Sequence, residues 1–224
     1  MKIAIIPARG GSKRIKNKNI KDFCGKPIIS YAIDSAINSN IFDRVIVSTN
    51  SKEIMDIAIE CGAEVPNLRS ESLSDDFATT LDVMSYEVKK LDLDDDTIVC
   101  CIYPTTPLLK PEFLRLGLEK IPKNAYCFSA CAFNSNPLRG FFIKDNKLIL
   151  LDRKFEFSRT QDIEAMYYDA GQFYFGYAVN FANKQSIFSE DSTLVVLPEI
   201  SVVDINTNDD WEIAEIKYKI LCKQ

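Results

Sequence analysis

The 224-residue chain contains no histidine, and that absence excludes more than any other count. Ser-His-Asp and Cys-His catalysis, histidine-ligated zinc and imidazole pH switching are impossible within it. Proton transfer has to use carboxylates, lysine, tyrosine, cysteine, water or a metal-bound ligand. Seven cysteines are present (24, 61, 100, 101, 127, 131 and 222), an odd number with no Cys-x-x-Cys pair. Cys127 and Cys131 have a loose metal-like spacing, but without further ligands they argue against zinc. Most of the seven fall in apolar runs and read as buried reduced thiols, which implies a reducing compartment. No apolar stretch approaches the roughly 18 residues that span a bilayer. Met1 leads into a short strand-like run, not into a charged leader with an apolar segment behind it. The expectation is a cytoplasmic protein with no membrane role.

The composition, 46% hydrophobic and 26% charged, is globular and supplies a sizeable core. A net charge of −5 argues against nucleic acid as the main partner. The charge is unevenly placed. Residues 1–26 hold eight basic side chains and one acid, Asp22, a local +7 that leaves −12 on the remainder. A basic N-terminus on an acidic body suggests a local anion site.

Short apolar runs alternate with amphipathic stretches through the first half. Ile3–Ile6 and Val45–Val47 read as buried strands. Ile29, Ala32, Ile33 and Ala36 mark a helix opened by Pro27. Ser51 caps a second helix, with Ile54, Ile57, Ala58 and Cys61 inward. Leu81, Met84, Val88 and Leu91 mark a third helix, before a strand at Ile98–Tyr103. Leu114, Leu118 and Ile121 mark a fourth, before a strand at Ala125–Ala132. This alternation predicts an α/β fold: a mostly parallel sheet with helices on both faces. The rhythm breaks at 134–170, an expected insertion with a hairpin and short helix, inside a single domain spanning 1–224. Strands resume at Phe173–Tyr177 and Leu194–Leu197. A last helix carries Trp211, Ala214, Tyr218 and Leu221, with Thr207 as its cap.

In open α/β sheets ligands bind beyond the carboxyl ends of the strands. The turn Pro7-Ala8-Arg9-Gly10-Gly11-Ser12-Lys13-Arg14 lies at such an end. Gly10 and Gly11 let backbone N–H groups approach an anion, Ser12 adds a hydroxyl, and Arg9, Lys13 and Lys18 supply cations. The turn matches neither the P-loop nor the dinucleotide-binding pattern. It reads as a polyphosphate site, with a solvated basic loop as the alternative.

The motifs around that turn resemble a known family. Ile5-Ile6-Pro7-Ala8-Arg9-Gly10-Gly11-Ser12-Lys13-Arg14-Ile15 with Lys18-Asn19-Ile20 is similar to the signature of the acylneuraminate cytidylyltransferases. Leu68-Arg69 with Leu73 and Asp76, Pro104-Thr105-Thr106-Pro107-Leu108, Arg159-x-Gln161-Asp162 and Asp204-Ile205-Asn206-Thr207 resemble four further family motifs in the same order. The departures are Ser70 for a proline, Tyr103 for a glutamine and Asn206 for an aspartate. Asp169-Ala170-Gly171-Gln172-Phe173-Tyr174, with Cys100-Cys101-Ile102-Tyr103, is most similar to the subgroup that uses pseudaminic acid, although Tyr168 stands where a histidine is usual.

The resemblance implies a nucleotide-diphospho-sugar transferase-like fold. It implies Mg²⁺-dependent transfer of CMP from CTP to a nonulosonic acid, with release of pyrophosphate. That chemistry needs positioning and charge neutralisation, not a protein nucleophile, so a chain without histidine suits it. By the same resemblance Arg9, Lys13 and Lys18, with Ala8, Gly10, Gly11 and Ser12, hold the triphosphate. Asn19 and Arg69 face the nucleotide, and Thr79 or Thr80 touches base or ribose. The plain alternative for Arg69 is a surface ion pair with Glu71. Asp204, expected at a strand end, and Asn206 would hold the metal; the plain alternative makes Asn206 a helix cap. Tyr103, Thr105, Thr106, Arg159, Gln161, Tyr168, Gln172 and Phe173 would form the sugar pocket, although an aromatic cluster is also ordinary core. The insertion would make a homodimer and bring Arg159 or Gln161 to the neighbour's site; the alternative is a lid over its own site. Other acids of the class, a CTP-binding homologue without turnover and a glycosyltransferase are competing functions.

Overall fold

The computed structural model describes residues 1–70 and 78–223, without the side chain of Thr160. Glu71, Leu73 and Asp76 lie outside the described residues. In chain order the strands are β1 (Lys2–Pro7), β2 (Asp22–Phe23), β3 (Lys26–Pro27), β4 (Arg44–Ser48), β5 (Ile98–Ile102), β6 (Cys127–Ala132), β7 (Phe141–Lys144), β8 (Lys147–Leu150), β9 (Tyr167–Tyr177) and β10 (Thr193–Val196). The helices are α1 (Ile28–Asn38), α2 (Lys52–Glu60), α3 (Thr80–Lys90), α4 (Pro111–Glu119), α5 (Ala178–Ala182) and α6 (Asn208–Leu221).

Six strands form the central sheet in the order β10-β6-β9-β5-β1-β4. β1 pairs in parallel with β4 and β5, and β6 with β10. β9 runs antiparallel between β5 and β6, so the sheet is mostly parallel, as the sequence predicts. β9 starts at Tyr167, six residues before the predicted strand, so the insertion ends earlier and its last residues join the sheet.

Strand alternation sends side chains to two cores. Ala4 and Ile6 of β1, Cys100 and Ile102 of β5, and Phe173 and Phe175 of β9 pack under α1, α2 and α4. Ile3, Ile5, Val99, Cys101 and Tyr174 face α3 and α5. A third cluster joins Phe23, Tyr31, Trp211 and Ala214 beneath α6.

Local chemistry sets where the helices start. Ser51 accepts from Ile54 N–H to cap α2. Thr79 with Asp82 and Thr207 with Asp210 form reciprocal capping boxes on α3 and α6. At the insertion, β7 and β8 make a separate two-stranded ribbon whose apolar side chains are largely exposed. No helix among the described residues is long and apolar enough to cross a membrane.

α4 lies close on the sheet because Gly117 has no side chain. A Cβ there would stand 2.7–2.9 Å from ring atoms of Phe175 and Phe173, and both rings are fully buried. Gly117→Val should therefore cost about 2–3 kcal/mol through overpacking. Urea denaturation checks this by a lower midpoint at unchanged slope.

Candidate active site

The carboxyl ends of β1 and β5 open into a cleft of about 690 Å³. Arg9, Ser12, Lys13, Arg14, Lys18 and Asn19 line one wall, and Arg69, Thr79, Thr80, Tyr103, Thr105 and Asn206 complete it. Residues separated by nearly the whole chain thus share one cavity. Asn19, itself buried, donates from Nδ2 to the carbonyl of Arg9 at 2.9 Å and ties the basic turn to the short helical turn Lys18–Ile20.

The two glycines of the turn have different duties. The N–H of Gly10 donates to Asn50 Oδ1 at 2.9 Å, and that of Ala8 to the Ser48 carbonyl at 2.8 Å. Both donors are occupied within the fold, which corrects the idea that Gly10 offers its amide to an anion. Gly11 takes φ +77°, a left-handed conformation that a side chain would strain.

Lys18 is half-buried and donates from Nζ to the Ile205 carbonyl at 2.8 Å. Burial pushes its ammonium below the ordinary lysine value; Asp204 pulls upward, Arg14 and Arg9 push further down, and Asp210 pulls up. An incoming anion would relieve the repulsion among these cations.

The alternative partner of Arg69, Glu71, lies outside the described residues, and Arg69 itself is buried, 5% exposed. Its Nη1 donates to Ser48 Oγ at 3.0 Å, and Ser48 Oγ donates to the buried Glu87 Oε1 at 2.6 Å. Burial lowers the Arg69 pKa and Glu87 opposes the shift. The guanidinium is thus held at the cleft wall by a buried polar pair. Thr79 is committed to capping α3, donating to Asp82 Oδ2 at 2.6 Å. Thr80 Oγ1 lies 2.8 Å from Tyr103 Oη.

Asp204 lies in an irregular segment between a helical turn at Glu199–Ser201 and α6, not at a strand end. It accepts from Asn206 Nδ2 at 2.6 Å. Thr207, not Asn206, caps α6, so the capping alternative for Asn206 is excluded. Among the described residues no cluster of three or more histidine, cysteine, aspartate or glutamate side chains could hold a metal.

The expected sugar residues are dispersed. Tyr103 and Thr105 line the cleft, while the buried Thr106 donates to the Tyr103 carbonyl at 2.8 Å and fixes that turn. Phe173 is fully buried among the α1–α4 side of the core. This corrects its placement in a pocket wall: β-alternation aims it away from Tyr103, which packs on the other face. Tyr168 is on the Phe173 side, its ring 4.9 Å from Phe133 and its hydroxyl pushed up to about 12, chiefly by burial. Gln172 is buried, donating from Nε2 to the Ser201 carbonyl at 2.5 Å; its Oε1 has no partner among the described residues. Arg159 and Gln161 are exposed on the insertion and do not line this cleft.

The family model for cytidylyltransferases matches residues 3–195. The chain belongs to the cytidylyltransferase family. As a cytidylyltransferase it is a nucleotidyltransferase, and the cationic turn facing Arg69 across one cleft suits a nucleoside triphosphate. It is 42% identical to a pseudaminic acid cytidylyltransferase of Campylobacter jejuni, over 97% of this chain and 96% of that protein. It is 32% identical to a CMP-N,N'-diacetyllegionaminic acid synthase of Legionella pneumophila, over 95% and 94% of the two chains. A solved structure of a CMP:2-keto-3-deoxy-manno-octonic acid synthetase complexed with CTP shares the fold, with a TM-score of 0.67 and 14% identity over 100% of this chain and 99% of that one.

Three side chains that organise the cytidylyltransferase cleft have no place in the sequence motifs: Ser48, Asn50 and Glu87. Only Glu87 left a signal, a charge between Met84 and Val88 on an inward helical stripe. Glu87→Ala should leave the Ser48–Arg69 pair without its anionic acceptor. A loss of roughly 1.5–3 kcal/mol is expected, checked by chemical denaturation.

Proposed function

We propose that the protein transfers CMP from CTP to the anomeric hydroxyl of a nonulosonic acid, with pseudaminic acid as the preferred acceptor. One observation carries this: the basic turn and Arg69 converge on a single cleft. The 42% identity to the Campylobacter enzyme along almost the whole chain supports the choice of acid. In the proposed reaction the anomeric oxygen attacks the α-phosphorus and loses its proton. The bond from that phosphorus to the bridging oxygen breaks, and pyrophosphate leaves.

Arg9, Lys13 and Lys18 would offset the charge of the triphosphate and of the departing pyrophosphate. Ser12 and the N–H groups after Gly10 would add hydrogen bonds. Arg69 would donate to the cytosine O2, and Asn19 holds the turn in shape. Tyr103 and Thr105 would meet the acid. The donor set at Asp204 and Asn206, one carboxylate beside one amide, suits Mg²⁺, which takes one or two carboxylates together with substrate phosphates. When bound, the ion would neutralise phosphate charge.

A second reading keeps the reaction and changes the acid to legionaminic or N-acetylneuraminic acid. The 32% identity to the Legionella enzyme favours weighing it. Incubation with CTP, with and without Mg²⁺, and each acid in turn should release pyrophosphate fastest with pseudaminic acid and only with the metal. Release with another acid alone would overturn the acceptor assignment; CTP binding without turnover on any acid would overturn the reaction. In the same assay Lys18→Ala should lower kcat/KM for CTP at least about tenfold, since charge-assisted contacts are worth roughly 1.5–3 kcal/mol.

The protein is proposed to act as a homodimer through the insertion. An isolated two-stranded ribbon is marginal in water, yet β7–β8 presents Phe142 at 60% and Ile143 at 76% exposure. Among the described residues, none of 134–166 lines the cleft, which favours a partner surface over a lid. Arg159 and Gln161 would then act at the neighbouring subunit's site. Light scattering should report about twice the 25.4 kDa chain mass, and Phe142→Asp should halve it.

A further inference from the structure

α6 has two apolar faces, and its own fold uses one of them. Trp211 and Ala214 turn inward, with Tyr218 beside them, and pack with Phe23 and Tyr31. The opposite face carries Ile213, Ile216 and Ile220, which stand 48%, 58% and 45% exposed. The outer face of a surface helix is ordinarily charged or polar.

The stripe continues by one residue at each end. Asp209, Ile213, Ile216, Ile220 and Lys223 follow one another at steps of four, three, four and three, the spacing of the seam between two packed helices. Asp209 and Lys223 are exposed, and so are Glu212 and Lys219, which flank the stripe on one side. Lys223 lies in the turn that follows α6. The face is thus acidic at its start, apolar in its middle and basic at its end. Lys219 meets Glu215 of its own helix at 3.5 Å with 62% of its side chain exposed, a contact too weak to keep it from another carboxylate.

Such a face is complementary to itself in one orientation. Two copies laid antiparallel bring Asp209 and Glu212 of each against Lys219 and Lys223 of the other, with the isoleucines between them. In a parallel pair acid would meet acid and base would meet base, which disfavours it. Ile216 is midway between Asp209 and Lys223, so one two-fold axis beside it generates all of these contacts. A different partner would need the same apolar seam with its charges in reverse order. A second copy of this chain already has it.

We propose that the outer face of α6 is a contact surface for the α6 of a second copy, antiparallel about a two-fold axis at Ile216. The contact does not depend on the transfer reaction or on the β7–β8 ribbon, and it can join single chains or ribbon-joined pairs. A helix of 14 residues is about 21 Å long, too short to bury the roughly 1,200 Å² of a stable interface. Association is therefore weak and grows with protein concentration. Among the described residues, none of 209–223 lines the cleft, so the contact leaves the cleft open.

The test uses the Phe142→Asp chain as parent, which removes the ribbon contact. In sedimentation equilibrium its mean mass should rise above the dilute value between roughly 10 and 500 μM, the range for a contact of this size. Ile216→Asp, a surface change that leaves folding intact, should weaken association at least about tenfold by setting two like charges on the axis. Asp209→Lys and Lys223→Asp should each weaken it about fivefold, because each rim pair is lost twice across the axis. Equal amounts of these two variants, mixed, should recover the association of the parent, since acid again faces base in the mixed pair. A mean mass independent of concentration overturns the proposal, as does association that Ile216→Asp leaves untouched. Charge reversals without effect, or losses that mixing does not recover, overturn it as well.

Discussion

The placement of β9 is the constraint on which the rest depends. Without it the sheet would be two parallel pieces, β4-β1-β5 and β6-β10, each with an edge of unpaired backbone groups. β9 closes both edges at once. Because it runs against its neighbours, its first residues lie where the parallel strands finish. Its backbone reaches the cleft loop directly, with Tyr103 N–H donating to the Gln172 carbonyl at 2.9 Å. The segment from β6 to β9 must leave and return at that same end, so the exposed ribbon protrudes beside the active cleft.

Charge organises the cleft within that frame. Arg9, Arg14 and Lys18 repel one another across a short turn, and desolvation adds to the cost at Lys18. The segment before α6 offsets part of it through Asp204, Asp210 and the carbonyl of Ile205. The two ends of the chain are thereby held to each other by polar contacts at the site where a polyanion would bind. On the other side Arg69 keeps its charge in a buried setting through Ser48 and Glu87. A cleft charged before its ligand arrives needs little reorganisation when the ligand does.

Much of this was legible along the chain because it is local. The capping box at Thr207 needs only residues three apart, and the α1 stripe of Ile29, Ala32, Ile33 and Ala36 needs only one helical period. The basic turn after β1 was readable for the same reason: its glycines and cations are contiguous. The family motifs extended the reading to Arg69, Asp204 and Asn206, residues whose types alone say little.

Only the tertiary structure decided how those groups are used. Strand alternation turns Phe173 into the core, and a bulge returns Asp169 to the same face as Tyr174. Neither outcome follows from residue type, because the face of a strand residue depends on register with a distant partner. The amide of Gly10 is taken by Asn50, forty residues away, and the Arg69 side chain by Ser48 and through it Glu87. The sequence by itself determined the α/β alternation, the helix caps and the cationic turn, since each rests on neighbours within a few positions. Which donors stay open to a ligand, and which face β9 presents to the cleft, were decided by strand pairing and burial, which act between residues far apart in the chain.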